Sequence, residues 1–350
     1  MVGRIAIADR PVGEGAPCFV IAEAGVNHNG QPALAHALIE AAAAAKADAV
    51  KFQTFKADRL ALASAPKAAY QKRNEPGEES QLAMLRRLEL PDDVVGELAV
   101  HCRERGILFL SSPFDEESAD FLDTLGMAAF KVPSGELTNA PFLRHLAGKG
   151  KPLIVSTGMA DMAEVKAAVD TIRAAGAPPL ALLHCVSAYP ADPADCNLGA
   201  MAALARAFGV PIGWSDHTTG IDVAIAAVAL GATIVEKHFT TDRALPGPDH
   251  RASLEPSELA ALMTAVRRVE SALGSGVKRP AASEADTAGV ARKSLVAARD
   301  LAAGTVIAAA DLAARRPGTG LPPSRQGDLL GRRLKVDVAA GEQLTLAMVE

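Results

Sequence analysis

A chain of 350 residues, 49% apolar and 22% charged, is long enough for one large globular domain and a small accessory one. Its 36 basic and 41 acidic side chains are interspersed along the chain and leave a net charge of -5, which builds no basic face for nucleic acid. No run of eighteen apolar residues and no signal-like N-terminus is present, and Cys18, Cys102, Cys185 and Cys196 have no CxxC spacing, so a cytoplasmic chain without a membrane span or disulfides is expected.

Eight short apolar runs recur through the first 240 or so residues. CFVIAEAG starts at 18, DAVKFQT at 48, ILFLSSPF at 107 and AAFKVPSGE at 128. PLIVSTG at 152, ALLHCVSAY at 181, VPIGWSDH at 210 and ATIVEKHF at 232 complete the series. Between them lie Ala- and Leu-rich segments with helical spacing, among them PALAHALIEAAAAA, PDDVVGELAVHCRERG, DMAEVKAAVDTIRAAG and LGAMAALARAFG. Several of these stop at a glycine, as a helix C-terminus should. Apolar strands alternating with helices call for a parallel sheet covered on both faces, and eight such units predict a (β/α)8 TIM barrel. An open doubly wound sheet would carry GxGxxG or GxxxxGK after the first strand, and EAGVNHNG matches neither.

In such a barrel the strand C-terminal ends form the active-site mouth. Those ends supply Glu23 with Asn27 and His28, then Lys51 and Gln53, then Ser111 and Ser112. Next come Lys131, Ser134 and Glu136, followed by Ser156 and Thr157, and by Ser187 and Tyr189. Ser215, Asp216 and His217 end the seventh strand, and Glu236 and His238 the eighth. Lys51 and Lys131 interrupt apolar strands, which requires either an anionic ligand or a glutamate partner for each. As ligand sites they suit a phosphate and a carboxylate, with Ser134, Ser156 and the STGM helix entrance assisting. His217 and His238 follow adjacent strands, and two converging imidazoles suit a divalent transition metal. Glu23 can move a proton or orient a hydroxyl. His184, among apolar neighbours, is expected to be structural; His101 and His145 lie on helices and are expected to face solvent.

The last barrel helix is predicted at 255–274, and the polar segment 275–289 reads as a linker. From residue 290 short runs such as SLVAARD and TVIAAADL alternate with turns, giving a small mixed β domain over 290–350. Within it Arg315 and Arg316 precede Pro317 and Gly318 in a charged, rigid loop.

The strand-end strings resemble those of the sialic acid synthases: IAEAGVNHNG, VKFQTF, SSPFD, FKVPSGE, STGM, LLHCVSAYP, SDHTTG, EKHFTTDR and GPDHRASL, in order. RKSLVAARDLAAGTVIAAADLAARRPGTG and LLGRRLKVDVAAGEQLT look like that family's antifreeze-like (SAF, β-clip) domain. The resemblance implies condensation of phosphoenolpyruvate with an N-acylated hexosamine, and a barrel domain over 1–274. It implies that His217 and His238 hold a divalent metal, typically Mn2+, with Mg2+ or Co2+ as substitutes. Lys51, Lys131, Ser134, Ser156 and Ser215 would hold phosphoenolpyruvate. Glu23, Gln53, Tyr189, Asp249 and Arg316 would surround the sugar, Arg316 reaching the partner's site in a domain-swapped homodimer. Ser187 stands where the N-acetylneuraminate enzymes often carry asparagine, and its shorter side chain lacks the amide's paired donor and acceptor. N-acetylmannosamine is the first expected acceptor and a 2,4-diacetamido-2,4,6-trideoxy-mannose, giving N,N'-diacetyllegionaminate, the alternative. A Schiff-base aldolase would use one lysine and no metal, and a sugar-binding protein without turnover would not need the complete mouth.

Overall fold

A computed structural model describes residues 3–74 and 79–350. The chain divides into two units, Met1–Gly274 and Ser275–Glu350. In the first, eight parallel strands form a barrel: β1 (Phe19–Gly25), β2 (Ala49–Thr54), β3 (Leu108–Pro113) and β4 (Phe130–Val132), then β5 (Leu153–Ser156), β6 (Leu180–Cys185), β7 (Ile212–Asp216) and β8 (Ile234–His238). Ladders run β3-β2-β1-β8-β7-β6-β5-β4, so β8 closes onto β1. β3 and β4 adjoin without a regular ladder. At that seam the Ser111 N–H donates to Met127 Sδ at 3.1 Å instead of to a strand carbonyl.

The helices form where the apolar spacing predicts. Pro32–Ala44 starts with proline at its first turn, where the missing N–H is no loss. Met162–Ala174 starts at Asp161 in a capping box with Glu164. Ala200–Phe208 ends on Gly209 at φ 67°, the left-handed position glycine adopts without strain. Pro256–Leu273 completes the ring and buries Leu259, Leu262, Met263 and Val266. One continuous apolar core joins these faces to the outer sides of the strands. A short hairpin, Ile5–Ile7 with Arg10–Val12, adds buried Ile7 and Val12 to that core.

Chain 55–91, between β2 and the helix Asp92–Glu104, is an insertion whose described residues include the short helices Ala57–Leu60, Ala69–Asn74 and Gln81–Leu88. It has its own apolar cluster of Phe55, Ala57, Leu82, Met84 and Leu88, packed with Val26.

In the second unit β9 (Ser294–Ala297) pairs antiparallel with β10 (Leu312–Arg315), and isolated bridges such as Leu301 with Val338 and Leu334 with Val349 tie the rest. Leu295, Leu301, Ile307, Leu329, Leu334 and Leu344 lie in its core. The segment read as a linker carries the helix Ala285–Ala291 and clusters with this unit.

Candidate active site

A cavity of about 440 Å3 opens at the C-terminal ends of the strands, a volume suited to a small polar substrate pair. Side chains alternate across a strand with period two, so every second residue reaches it. On β2, Lys51 and Gln53 line the cavity. On β8, Glu236 and His238 do so, and at β7 Ser215 and His217. Neighbouring strands hold these residues level: His238 is in register with Glu23, and Glu23 with Lys51. Cys185, Ser215 and Glu236 form a second row.

Both lysines that line the cavity have a glutamate partner. Lys51 Nζ lies 2.6 Å from Glu23 Oε2 and donates to Ser112 Oγ at 3.1 Å. Lys131 Nζ lies 3.5 Å from Glu236 Oε1, which also accepts from Ser215 Oγ at 3.0 Å. The paired arrangement and the anion-binding one are thus compatible, because Lys131 is held loosely and Ser156 Oγ and Glu236 Oε2 are buried without a hydrogen-bond partner. Burial pushes the Glu23 carboxyl up to about 7 against the pull of Lys51. Glu236 meets the same burial, but Lys131, Lys51 and the Ser215 hydroxyl outweigh it and hold its pKa below the ordinary value. Burial lowers the pKa of Lys131, with Glu236 opposing. Two carboxyls of one cavity are thereby driven apart in acidity, the arrangement that separates a proton carrier from a fixed charge.

Gly25 and Gly158 show how tightly the groups converge. A Cβ on Gly25 would lie 3.2 Å from Glu23 Oε1, 3.4 Å from Gln53 Nε2 and 3.6 Å from His238 Cε1. A Cβ on Gly158 would lie 2.3 Å from Ser187 Oγ and 2.8 Å from both Cys185 Sγ and Ser134 Oγ. The absent side chain leaves room there, and the Gly158 N–H donates to Ser134 Oγ at 3.0 Å.

His217 Nδ1 donates to the Val186 carbonyl at 2.6 Å, which fixes the tautomer and leaves Nε2 with a free lone pair. His238 Nδ1 is buried and has no partner. The two rings stand 5.5 Å apart between centroids. Burial lowers both pKa values, so both imidazoles are neutral, as metal ligation requires. Two neutral imidazoles would suit a divalent cation only with water or substrate at its other positions, since among the described residues no set of three His, Cys, Asp or Glu ligands is assembled. Tyr189 lies against His217 with ring centroids 4.2 Å apart and planes inclined by 33°. Asp249 also lines the cavity.

Of the sequence-predicted residues, Glu23, Lys51, Gln53, Lys131, Ser134 and Ser156 line this cavity, as do Ser187, Tyr189, Ser215, His217, His238 and Asp249. Arg316 lies in the second unit, where its Nε donates to Ala291 O at 3.1 Å. Six expected mouth residues point elsewhere. Ser111 bonds Thr54 at 2.8 Å on the far side of the strands, and Asp216 pairs with Lys237 there at 2.9 Å. Thr157 donates to Leu183 O, and Glu136 accepts from Asn139. Asn27 donates to Phe239 O and Ser253, and His28 Nδ1 accepts from Gly30 N–H. His184 is structural as expected, donating to Cys196 O at 2.9 Å. His101 corrects its expectation: its side chain is only 14% exposed and meets His36 and Glu40. Sequence reading missed Cys185, which contacts Ser134 at 3.1 Å, and missed the wall built by the insertion. The amphipathic stretch QLAMLRRL was its one signal.

The model of the NeuB family matches residues 38–278, and that of the SAF domain matches 292–350. The chain belongs to the NeuB family. It is 47% identical to the N,N'-diacetyllegionaminic acid synthase of Legionella pneumophila over 345 residues, covering 97% of each chain. It is 46% identical to the Campylobacter jejuni protein of that name over 316 residues, 90% of this chain and 95% of the relative. The crystal structure of N-acetylneuraminic acid synthetase from Leptospira borgpetersenii superposes with a TM-score of 0.73 at 36% identity, over 82% of this chain and 95% of that one. The NeuB chain is therefore a synthase of the nonulosonate type, with a TIM-like barrel and an SAF domain. Among the described residues no helix is long and apolar enough to cross a membrane.

Proposed function

We propose that this NeuB protein condenses phosphoenolpyruvate with 2,4-diacetamido-2,4,6-trideoxy-mannose to give N,N'-diacetyllegionaminate and phosphate. The 47% identity to a relative of that name, along almost the whole of both chains, carries the choice of acceptor and displaces N-acetylmannosamine from first place. The cavity's charge supports the donor. Its cationic lining residues are Lys51 and Lys131, among the described ones, and both are needed by the carboxylate and phosphate of phosphoenolpyruvate. A phosphate ester on the acceptor would find no third cation among the described lining residues, which favours a neutral sugar.

In the proposed reaction the phosphate rests against Lys131, Ser134 and Ser156, and the carboxylate near Lys51. Gln53, Tyr189 and Asp249 hold the open-chain sugar with its aldehyde beside Glu23. Carbon 3 of the enol ester bonds to the aldehyde carbon, and the former aldehyde oxygen takes a proton and becomes a hydroxyl. Water adds to carbon 2, a proton is lost, and the carbon–oxygen bond to phosphate breaks, leaving a 2-keto acid. Glu23 is the residue placed to hold the moving proton. A divalent cation, Mn2+ first among candidates, would be held by His217 and His238 and supply Lewis acidity to a carbonyl oxygen.

Phosphate release and product mass, measured with phosphoenolpyruvate, Mn2+ and a panel of acceptors, test this reading. The diacetamido-trideoxy sugar should show the highest kcat/KM; a higher value for N-acetylmannosamine or its phosphate ester would overturn the choice. Oxygen-18 from water should enter the keto acid and be absent from phosphate, and the reverse would sink the mechanism. For the second unit we retain the reading that Arg316 completes the site of another copy in a homodimer. Mixing inactive Arg316→Ala and His238→Ala chains should restore activity, since a mixed dimer has one site free of both changes. Absence of recovery in verified mixed dimers would place Arg316 outside that role.

A further inference from the structure

The chain has two tyrosines, and they meet at the cavity mouth. Tyr70 and Tyr189 lie with ring centroids 4.9 Å apart and planes inclined by 32°. Tyr189 in turn covers His217, so three rings run outward in series from the floor. Tyr70 belongs to the short helix Ala69–Asn74 of the insertion, which Asn74 Nδ2 ties to the Pro248 carbonyl at 2.6 Å. Its hydroxyl has one modest contact, an acceptor position 3.4 Å from Gln71 Nε2.

The same insertion supplies apolar lining. Leu60, Met84, Leu85 and Leu88 all line the cavity, while the barrel floor beneath is lysine, glutamate, serine and histidine. Met84 and Leu88 are fixed by the insertion's own buried cluster, and Leu60 and Leu85 pack on it half-buried. The cavity thus has a polar, charged floor and, on a separately packed element, a largely apolar wall into which Gln71 and Gln81 also enter. Phosphoenolpyruvate carries a phosphate and a carboxylate, and its one apolar group, the methylene, is the carbon that must face the acceptor aldehyde, so it gains little from such a wall. An acceptor bearing a C-methyl group and N-acyl methyls gains apolar contact there, and the flat C–H face of a sugar suits an aromatic ring.

We propose that Tyr70 and the Leu60–Met84–Leu85–Leu88 wall form the acceptor-selecting subsite, in which Tyr70 packs an acyl methyl and the leucines and methionine receive the C6 methyl. This rests on the acceptor reading above and adds the residues that enforce it. A hydroxymethyl group or a phosphate ester at C6 would give up water contacts against these carbon side chains, and is thereby disfavoured.

The test uses the full chain and steady-state kinetics with two acceptors, the diacetamido-trideoxy sugar and N-acetylmannosamine, at varied phosphoenolpyruvate. Tyr70→Ala should raise KM for the trideoxy acceptor by about tenfold or more while KM for phosphoenolpyruvate stays within about twofold. Tyr70→Phe should restore wild-type behaviour, because the ring is retained. Leu85→Gln, at a half-buried position, should lower the kcat/KM preference for the trideoxy acceptor by about tenfold. Circular dichroism and thermal melting confirm that each variant is folded. Equal rises in both KM values for Tyr70→Ala, loss of function in Tyr70→Phe, or an unchanged preference in Leu85→Gln would overturn the subsite. Those outcomes leave the acceptor reading standing when the wild type prefers the trideoxy sugar. A wild type that prefers N-acetylmannosamine overturns both.

Discussion

Two buried ion pairs draw on adjacent residues of β8, Glu236 and Lys237, and have different ends. Toward the helices, Lys237 Nζ contacts Asp216 Oδ2 at 2.9 Å and donates to Thr218 O at 2.5 Å. Asp216 Oδ1 accepts from both the amide and the hydroxyl of Thr218. Neither carboxylate oxygen nor the ammonium is left without a partner. Toward the cavity, Lys131 and Glu236 stand 3.5 Å apart with Glu236 Oε2 unpartnered, and Ser156 Oγ, which belongs to a residue lining the same cavity, is unpartnered too. The lysine–carboxylate chemistry is the same in both. Saturation is what separates a pair that holds the barrel wall from one prepared to exchange its partner for a ligand.

The largest effect should come from breaking the saturated pair. Lys237→Ala leaves Asp216 buried and uncompensated and should destabilise the protein by about 3–5 kcal/mol in urea melts. The double change Lys237→Met with Asp216→Asn should recover much of that loss; an additive loss would mean the pair is not the unit we describe. Lys51→Met on the cavity side should instead lower kcat/KM by roughly a hundred- to a thousandfold with a much smaller stability change. Glu23, whose pKa already stands at about 7, can take up a proton when its partner is removed. A melting shift as large as that of Lys237→Ala would erase the contrast.

A saturated but uncharged group sharpens the comparison by pH. Buried His250 bonds Thr240 Oγ1 at 2.7 Å and Asn29 Oδ1 at 3.2 Å, and burial lowers its pKa to about 4; burial does the same to His28. The folded values lie below the unfolded one, so this stability is complete above about pH 6.5 and is lost as pH falls toward 4. Roughly 2 kcal/mol per histidine should be gone at pH 5. Urea melts at pH 7 and 5 measure it, and a His250→Asn variant with an equally steep loss would show that His250 does not contribute. The smallest effect belongs to Gly158→Ala. Its Cβ displaces the Ser134, Cys185 and Ser187 side chains at the unsaturated site, so KM for phosphoenolpyruvate should rise several-fold at about 1–2 kcal/mol of stability. An unchanged KM would remove that corner from the donor site.

The eight-strand rhythm, the helix ends and the polar character of every strand terminus could be read from the sequence, because apolar periodicity, glycine stops and strand-end chemistry are local properties. The residues His217, His238, Lys51 and Lys131 could be singled out for the same reason: each is a charged or ligating group where the pattern demands an apolar one. Which of two adjacent polar residues faces the cavity was a tertiary decision. Alternation gives a period but no phase, and the register shift between Glu23 and Gly25 on β1 shows that phase can change within one strand. Hence Ser215 faces the cavity and Asp216 the helices, though SD reads alike in either order. The insertion was hidden for a different reason. Tyr70 and Met84 are fourteen positions apart on separate short helices, and only folding over the barrel mouth makes them one wall.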